Sequence, residues 1–207
     1  MSLLTALGFG LLIGAQHAFE PDHLAAVGTM LPEESSRRRA ASRGAWWGLG
    51  HGLAIAAIGL PLILLGLRVP EHIEALAELV VAAMLIGLGV HAFWRARHVH
   101  NQTQTTARPV AKTTLPIGLI HGLAGSGAAV VLATTQSPSQ GAALVFLVVF
   151  VLGSTLSMTA VAGFLSLPLK RLTAQRSRMP WLLSVSGVLS VVVGLIWAGP
   201  HIAGWLS

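Results

Sequence analysis

Residues 3–31 read LLTALGFGLLIGAQHAFEPDHLAAVGTML, an apolar run interrupted by His17-Ala18-Phe19-Glu20-Pro21-Asp22-His23. About 20 mostly apolar residues carry a helix across a bilayer, so this stretch decides the fold class: an all-α, polytopic membrane protein. Ionisable groups within such a run are costly, and their default reading is functional. Asp22 is the only aspartate of the chain, and there is no cysteine. Any ligand set is therefore built from nitrogen and oxygen, and disulfides, thiolate zinc sites and thiol redox chemistry are excluded.

The rest of the 207 residues agrees with the membrane class. The chain is 54% hydrophobic and 10% charged, with a mean hydropathy of +0.73, whereas a soluble domain carries roughly 25% charged residues. The spacing predicts six spans, near 3–30, 44–67, 73–95, 115–135, 140–167 and 181–200. The first lacks a basic flank and a small-residue cleavage site, so it is expected to be a retained transmembrane helix rather than a signal peptide. The whole, 1–207, forms one transmembrane domain: a first three-helix half over 1–96, a polar linker over 97–114 on the cytoplasmic side, and a second three-helix half over 115–207.

The net charge of +6 fits topology rather than nucleic-acid binding. With six spans, the first, third and fifth connections share one side. That side and its flanks hold Arg37, Arg38, Arg39, Arg43, Arg95, Arg97, Arg108, Lys112, Lys170, Arg171, Arg176 and Arg178, against Arg68 alone on the other. Lys and Arg concentrate in cytoplasmic loops. The expected location is the cell's inner (plasma) membrane, with both termini outside. Trp46, Trp47, Trp94, Trp181, Trp197 and Trp205 lie near span ends, as interface anchors should.

A weak internal repeat relates the halves. Gly14-Ala15-Gln16-His17 and Gly118-Leu119-Ile120-His121 both read G-x-x-H, Gly50-His51-Gly52-Leu53 aligns with Gly153-Ser154-Thr155-Leu156, and Gly87-Leu88 with Gly194-Leu195. Three spans per copy would make the second copy inverted, an arrangement that transporters use with the substrate site at the repeat interface. His121 and Ser154 would then face the same cavity as His17 and His51. Gly and Leu are abundant here, so chance matching is the competing explanation.

On a regular helix His17, Glu20 and His23 fall within about 120° of one another, and Asp22 points away. Pro21 lacks an N–H and deprives the His17 carbonyl of its partner. A helix opened there would turn Asp22 toward the histidines, turn Glu20 away and free a backbone oxygen. Imidazole with carboxylate suits Zn, Ni, Cu, Co or non-haem Fe. The alternative is that Glu20–His23 ends the first helix at the membrane surface; the apolar Leu24–Leu31 that follows argues against it. Ligand types alone do not separate transport from catalysis.

His17, Asp22 and His23 occupy the fixed positions of an H-x-x-x-x-D-H pattern, and the heptapeptide resembles the signature of the nickel/cobalt transporters, the NiCoT and wider NicO group. In that family the motif lies in a transmembrane helix and is required for metal transport. Gly50-His51-Gly52 is similar to the family's Gly-His motif in the following span. His121-Gly122-Leu123-Ala124-Gly125-Ser126-Gly127 resembles the small-residue segment in the second half of urease-accessory-like relatives. This chain departs from the best-known members in having six expected spans rather than eight. It has only His98-Val99-His100 where the efflux branch carries a long His-rich loop.

The resemblance implies a secondary transporter of a divalent cation, Ni2+ or Co2+, carried as substrate, with no cofactor and no enzymatic activity. Its partners would be the metal ion and the lipid bilayer, without nucleic acid; a homo-oligomer is compatible with the sequence. The expected metal ligands are His17, Asp22, His23, His51 and His121. His51 and His121 equally suit hydrogen bonds across tight glycine-flanked helix contacts. Glu78 fits either a relay within its span or the outer interface beside Glu71 and Glu74. His91 reads as interfacial, and His98 and His100 as metal-collecting or simply solvated. No nucleotide-binding G-x-x-x-x-G-K-[ST] is present. Two other classes remain open. An intramembrane metalloenzyme would need an open coordination position and a general base such as Glu20. An exporter of small organic or sulfur-containing anions would need Arg or Lys along its path, and none lies in the interior of a span.

Overall fold

The segment expected as the first span is two helices, parted at Pro21. In the computed structural model, which describes residues 3–32, 34, 36–98, 109–173 and 176–206, α1 (Leu3–His17) ends before the proline and α2 (Pro21–Met30) begins on it. Glu20, the residue before proline, is extended at φ −62° and ψ 148°, the conformation that steric contact with the ring favours. Pro21 then takes the first helical position, where no N–H is needed. The expected free oxygen is absent, because the Glu20 N–H donates to the His17 carbonyl at 3.1 Å. A single turn thus closes α1 and leaves α2 free to start on a new axis.

Five long helices follow: α3 (Arg37–Leu65), α4 (Glu71–His98), α5 (Val110–Gln136), α6 (Gln140–Thr173) and α7 (Met179–Leu206). Each is long and apolar enough to cross a membrane, and no strand occurs among the described residues. They match the second to sixth expected spans but run longer. Arg37, Arg38, Arg39 and Arg43 belong to the first two turns of α3, and Lys170 and Arg171 to the last turn of α6, rather than to loops. Long cationic side chains let a helix continue past the hydrocarbon while their heads reach water. Ser36 caps α3 by accepting from the Arg39 N–H at 3.2 Å. Gly66, at φ 65°, closes it in the left-handed conformation that glycine adopts without cost. Residues 99–108 of the expected linker, with His100 and Arg108, lie outside the described residues.

α3 packs chiefly on α5 and α6, α1 on α6, and α4 on α7, while α2 wedges against α7 and α4. Small residues set the closest crossings. A Cβ at Gly118 would meet the Trp47 carbonyl of α3, and one at Gly14 would meet the Phe150 carbonyl of α6. Gly89 of α4 and Gly187 of α7 face each other's carbonyls in the same way. One buried apolar cluster gathers Val27 and Met30 of α2 and Leu31 just beyond it with Trp47, Leu85 and Met158. A second, of Ile55, Val130, Phe146, Leu147 and Phe150, lies toward the opposite end. Leu53, Val90, Leu152, Leu156, Leu189 and Ile196 are exposed along the long helices, as a lipid-facing surface requires.

Candidate metal centre

The break at Ala18–Glu20 lets side chains from both sides of it meet. His17 projects from the last turn of α1, while Asp22 and His23 project from the first turn of α2. α3 supplies His51 and α5 supplies His121, each flanked by glycine at the tight α3–α5 crossing. The structure brings all five sequence-expected residues together.

Both carboxylate oxygens of Asp22 are engaged. Oδ1 accepts from His23 Nδ1 at 3.1 Å and Oδ2 accepts from His121 Nε2 at 2.8 Å. His17 Nδ1 contacts Glu20 Oε1 at 2.9 Å, and its Nε2 lies 3.1 Å from His51 Nε2. If the rings are neutral, His17 donates to Glu20 and accepts from His51. His17, His23 and His51 stand with ring centroids 4.5 to 5.1 Å from one another, and His121 stands 4.2 Å from His23 and 5.7 Å from His51. Asp22, His23, His51 and His121 are buried.

Two groups of three donors, His17/His23/His51 and Asp22/His23/His121, each fall within 4.8 Å, with His23 common to both. Nitrogens each about 2.1 Å from one ion stand roughly 3.0–3.4 Å apart in octahedral or tetrahedral arrangements. The Nε2 atoms of His17 and His51 stand 3.1 Å apart, within that range, and would both ligate only once the hydrogen bond between them is given up. Nε2 of His23 and Nδ1 of both His51 and His121 are buried and have no hydrogen-bond partner among the described residues. Buried polar atoms are ordinarily paired, so these lone pairs are spare coordination capacity.

The cluster lines a cavity of about 290 Å³. Its wall along α5 runs from His121 through Ala124, Gly125, Ala128 and Ala129 to Leu132, a rise of about 16 Å at 1.5 Å per residue. Ile13, Phe150, Glu20, Glu78 and Trp197 complete it. The cavity extends toward the ends of α4, α5 and α7 that lie away from the Arg37–Arg43 turns. On that far side His201 Nε2 lies 2.5 Å from Glu78 Oε2.

Several expectations are corrected. Glu20 does not turn away but stays on His17 Nδ1 from a half-exposed position. Ser154 is buried and donates to the Val151 carbonyl of its own helix at 3.0 Å, so it does not line the cavity. Trp47 is not an interface anchor. It is buried, with its ring 5.4 Å from His23 and 5.6 Å from His121. Trp197 lines the cavity, whereas Trp46, Trp94 and Trp181 are exposed. His91 and His98 sit apart from the cluster and pack on Trp94. His201 escaped the sequence reading altogether, since nothing local marks a histidine one turn after Trp197.

No family model matches this chain, and no solved structure matches it. It is 27% identical over 208 residues to the urease accessory protein UreH of Bacillus sp. (strain TB-90), covering 94% of this chain and 91% of that protein. It is 29% identical to the chloroplast protein FOR GROWTH AND FERTILITY 1 of Arabidopsis thaliana, over 93% of this chain and 58% of that one. It is 28% identical to FOR GROWTH AND FERTILITY 2, over 79% and 47% respectively, so the chain spans about half the length of the two chloroplast proteins. None of these relatives is named as an enzyme. The chain is an all-helical, multi-pass membrane protein, similar over nearly its whole length to a urease accessory protein.

Proposed function

We propose that this protein is a secondary transporter of a divalent transition-metal cation, Ni2+ or Co2+, held in transit by His17, Asp22, His23, His51 and His121. One observation carries the reading: four imidazoles and the chain's only aspartate converge, with spare lone pairs, on the wall of one cavity. Imidazole and carboxylate without thiolate suit these borderline ions. The accessory role named for the Bacillus relative and the resemblance of the heptapeptide to the nickel/cobalt signature agree with it. The cavity lining contains neither Arg nor Lys, so an anion would find no counter-charge there.

In this reading α1 and α2 together make the first of six crossings. The basic ends of α3 to α6 and the start of α7 face the cytoplasm, and both termini lie outside. The packing is what an inverted repeat would produce. Gly118 abuts the Trp47 carbonyl as Gly14 abuts that of Phe150, and Gly50 abuts the Leu115 carbonyl as Gly153 abuts that of Leu11. These are matching positions of the two halves. The cavity then opens outward, while α2, Trp47, Leu85 and Met158 close the cytoplasmic side. Moving two charges inward at 100 mV is worth about 4.6 kcal/mol, at roughly 2.3 per charge. The test is metal accumulation in cells with and without the protein, comparing Ni, Co, Zn and Mn. Wild-type-specific accumulation or depletion of Ni or Co, lost in Asp22→Asn, is expected; unchanged levels of all four metals would overturn the reading.

A further inference from the structure

The carboxylate of Glu78 and the imidazole of His201 come from different helices, α4 and α7, and meet at 2.5 Å on the side away from the basic helix ends. Glu78 lines the same cavity as the histidine cluster. A partly exposed polar pair of this kind adds little to stability, yet an ionisable residue within a membrane-length apolar helix is costly to keep. Stability therefore does not account for the pair.

We propose that Glu78 and His201 form a second, weaker divalent-cation site at the mouth of the cavity, which receives the ion and passes it to the buried cluster. This rests on the transport reading above. The side chains are 38% and 22% exposed, respectively, so an arriving ion keeps most of its water while exchanging one or two ligands. Borderline divalent ions accept this nitrogen–oxygen pair. Two protein ligands hold less tightly than five, and conduction requires a site strong enough to enter and weak enough to leave. Between the stations the wall is largely apolar, with Ala124, Ala128, Ala129 and Leu132 of α5. Glu71 and Glu74 lie on α4 between Glu78 and the helix start, and carboxylates ahead of an opening raise the local cation concentration.

The experiment is Co2+ titration of the purified full-length protein, by equilibrium dialysis and visible absorption. Wild type is expected to bind one tight and one weak equivalent. Glu78→Gln and His201→Gln should each lose the weak equivalent and keep the tight one, which also reports that the fold is intact. Asp22→Asn should lose the tight equivalent and keep the weak one. In cells, Glu78→Gln should raise the KM for transport about tenfold with kcat within about twofold, the mark of lost ground-state binding, and Glu78→Asp should restore part of it. A wild-type isotherm in both mouth variants overturns the second site alone, as does loss of both equivalents in them. Absence of any Co2+ binding by wild type overturns the second site and the transport reading together.

Discussion

Asp22 and His121 are 99 positions apart in sequence, and His121 Nε2 donates to Asp22 Oδ2 at 2.8 Å. This bond ties the first turn of α2, in one half of the chain, to the middle of α5, in the other. The cluster therefore exists only when both halves are packed together, and any motion of the halves past one another must stretch it.

Asp22→Asn should abolish metal transport, whereas Glu20→Gln should retain part of it. Asn keeps the size of Asp22 and some of its hydrogen bonding but removes the buried anion that offsets an ion's charge. Glu20 is half exposed and touches only His17 within the cluster. Transport assays on both variants, normalised to protein in the membrane, decide it. The reverse ranking would remove Asp22 from the ligand set.

Pro21→Ala should cut transport by about tenfold or more, in line with the loss expected when bound geometry slips by an ångström or so. The restored N–H competes with Glu20 for the His17 carbonyl and favours a continuous helix. In such a helix His17 and Asp22 would point about 140° apart. Transport equal to wild type would show that packing alone maintains the break.

Gly118→Ala should destabilise the protein by about 1–3 kcal/mol, as overpacking does, because its Cβ has no room against the Trp47 carbonyl. Gly87→Ala is the control: nothing lies within 4 Å of a Cβ there, and alanine improves helix propensity by up to about 1 kcal/mol. Thermal unfolding in detergent measures both. Equal stabilities would mean that the α3–α5 crossing is looser than described.

The cysteine-free chain suits topology mapping. A cysteine replacing Arg68 should react with an impermeant thiol reagent in intact cells, and one replacing Arg38 should react only after lysis. Both positions are exposed. Labelling of the Arg38 position in intact cells would invert the proposed orientation.

What the sequence determined by itself was what covalent structure and solvation enforce locally. Pro21 disfavours a helical Glu20 before it, so a break at 18–20 was legible as one of two geometries. Pro61, Pro116, Pro168 and Pro200, however, sit inside continuous helices, and packing decided which prolines break one. The apolar runs and the placement of Arg and Lys follow from transfer free energies that each segment meets alone. Three of the five clustered side chains, His17, Asp22 and His23, were legible as a group within one heptapeptide, whereas His51 and His121 read equally well as packing residues. Tertiary structure decided the rest. It put Trp47 beside His23 while Trp46, its neighbour, faces outward, kept Ser154 out of the cavity, and joined Glu78 to His201 across 123 positions. In a soluble helix an apolar stripe tells which face is inward. A membrane helix is apolar all round, because lipid and protein interior are equally dry, so its inward face is chosen only by close packing against the other helices.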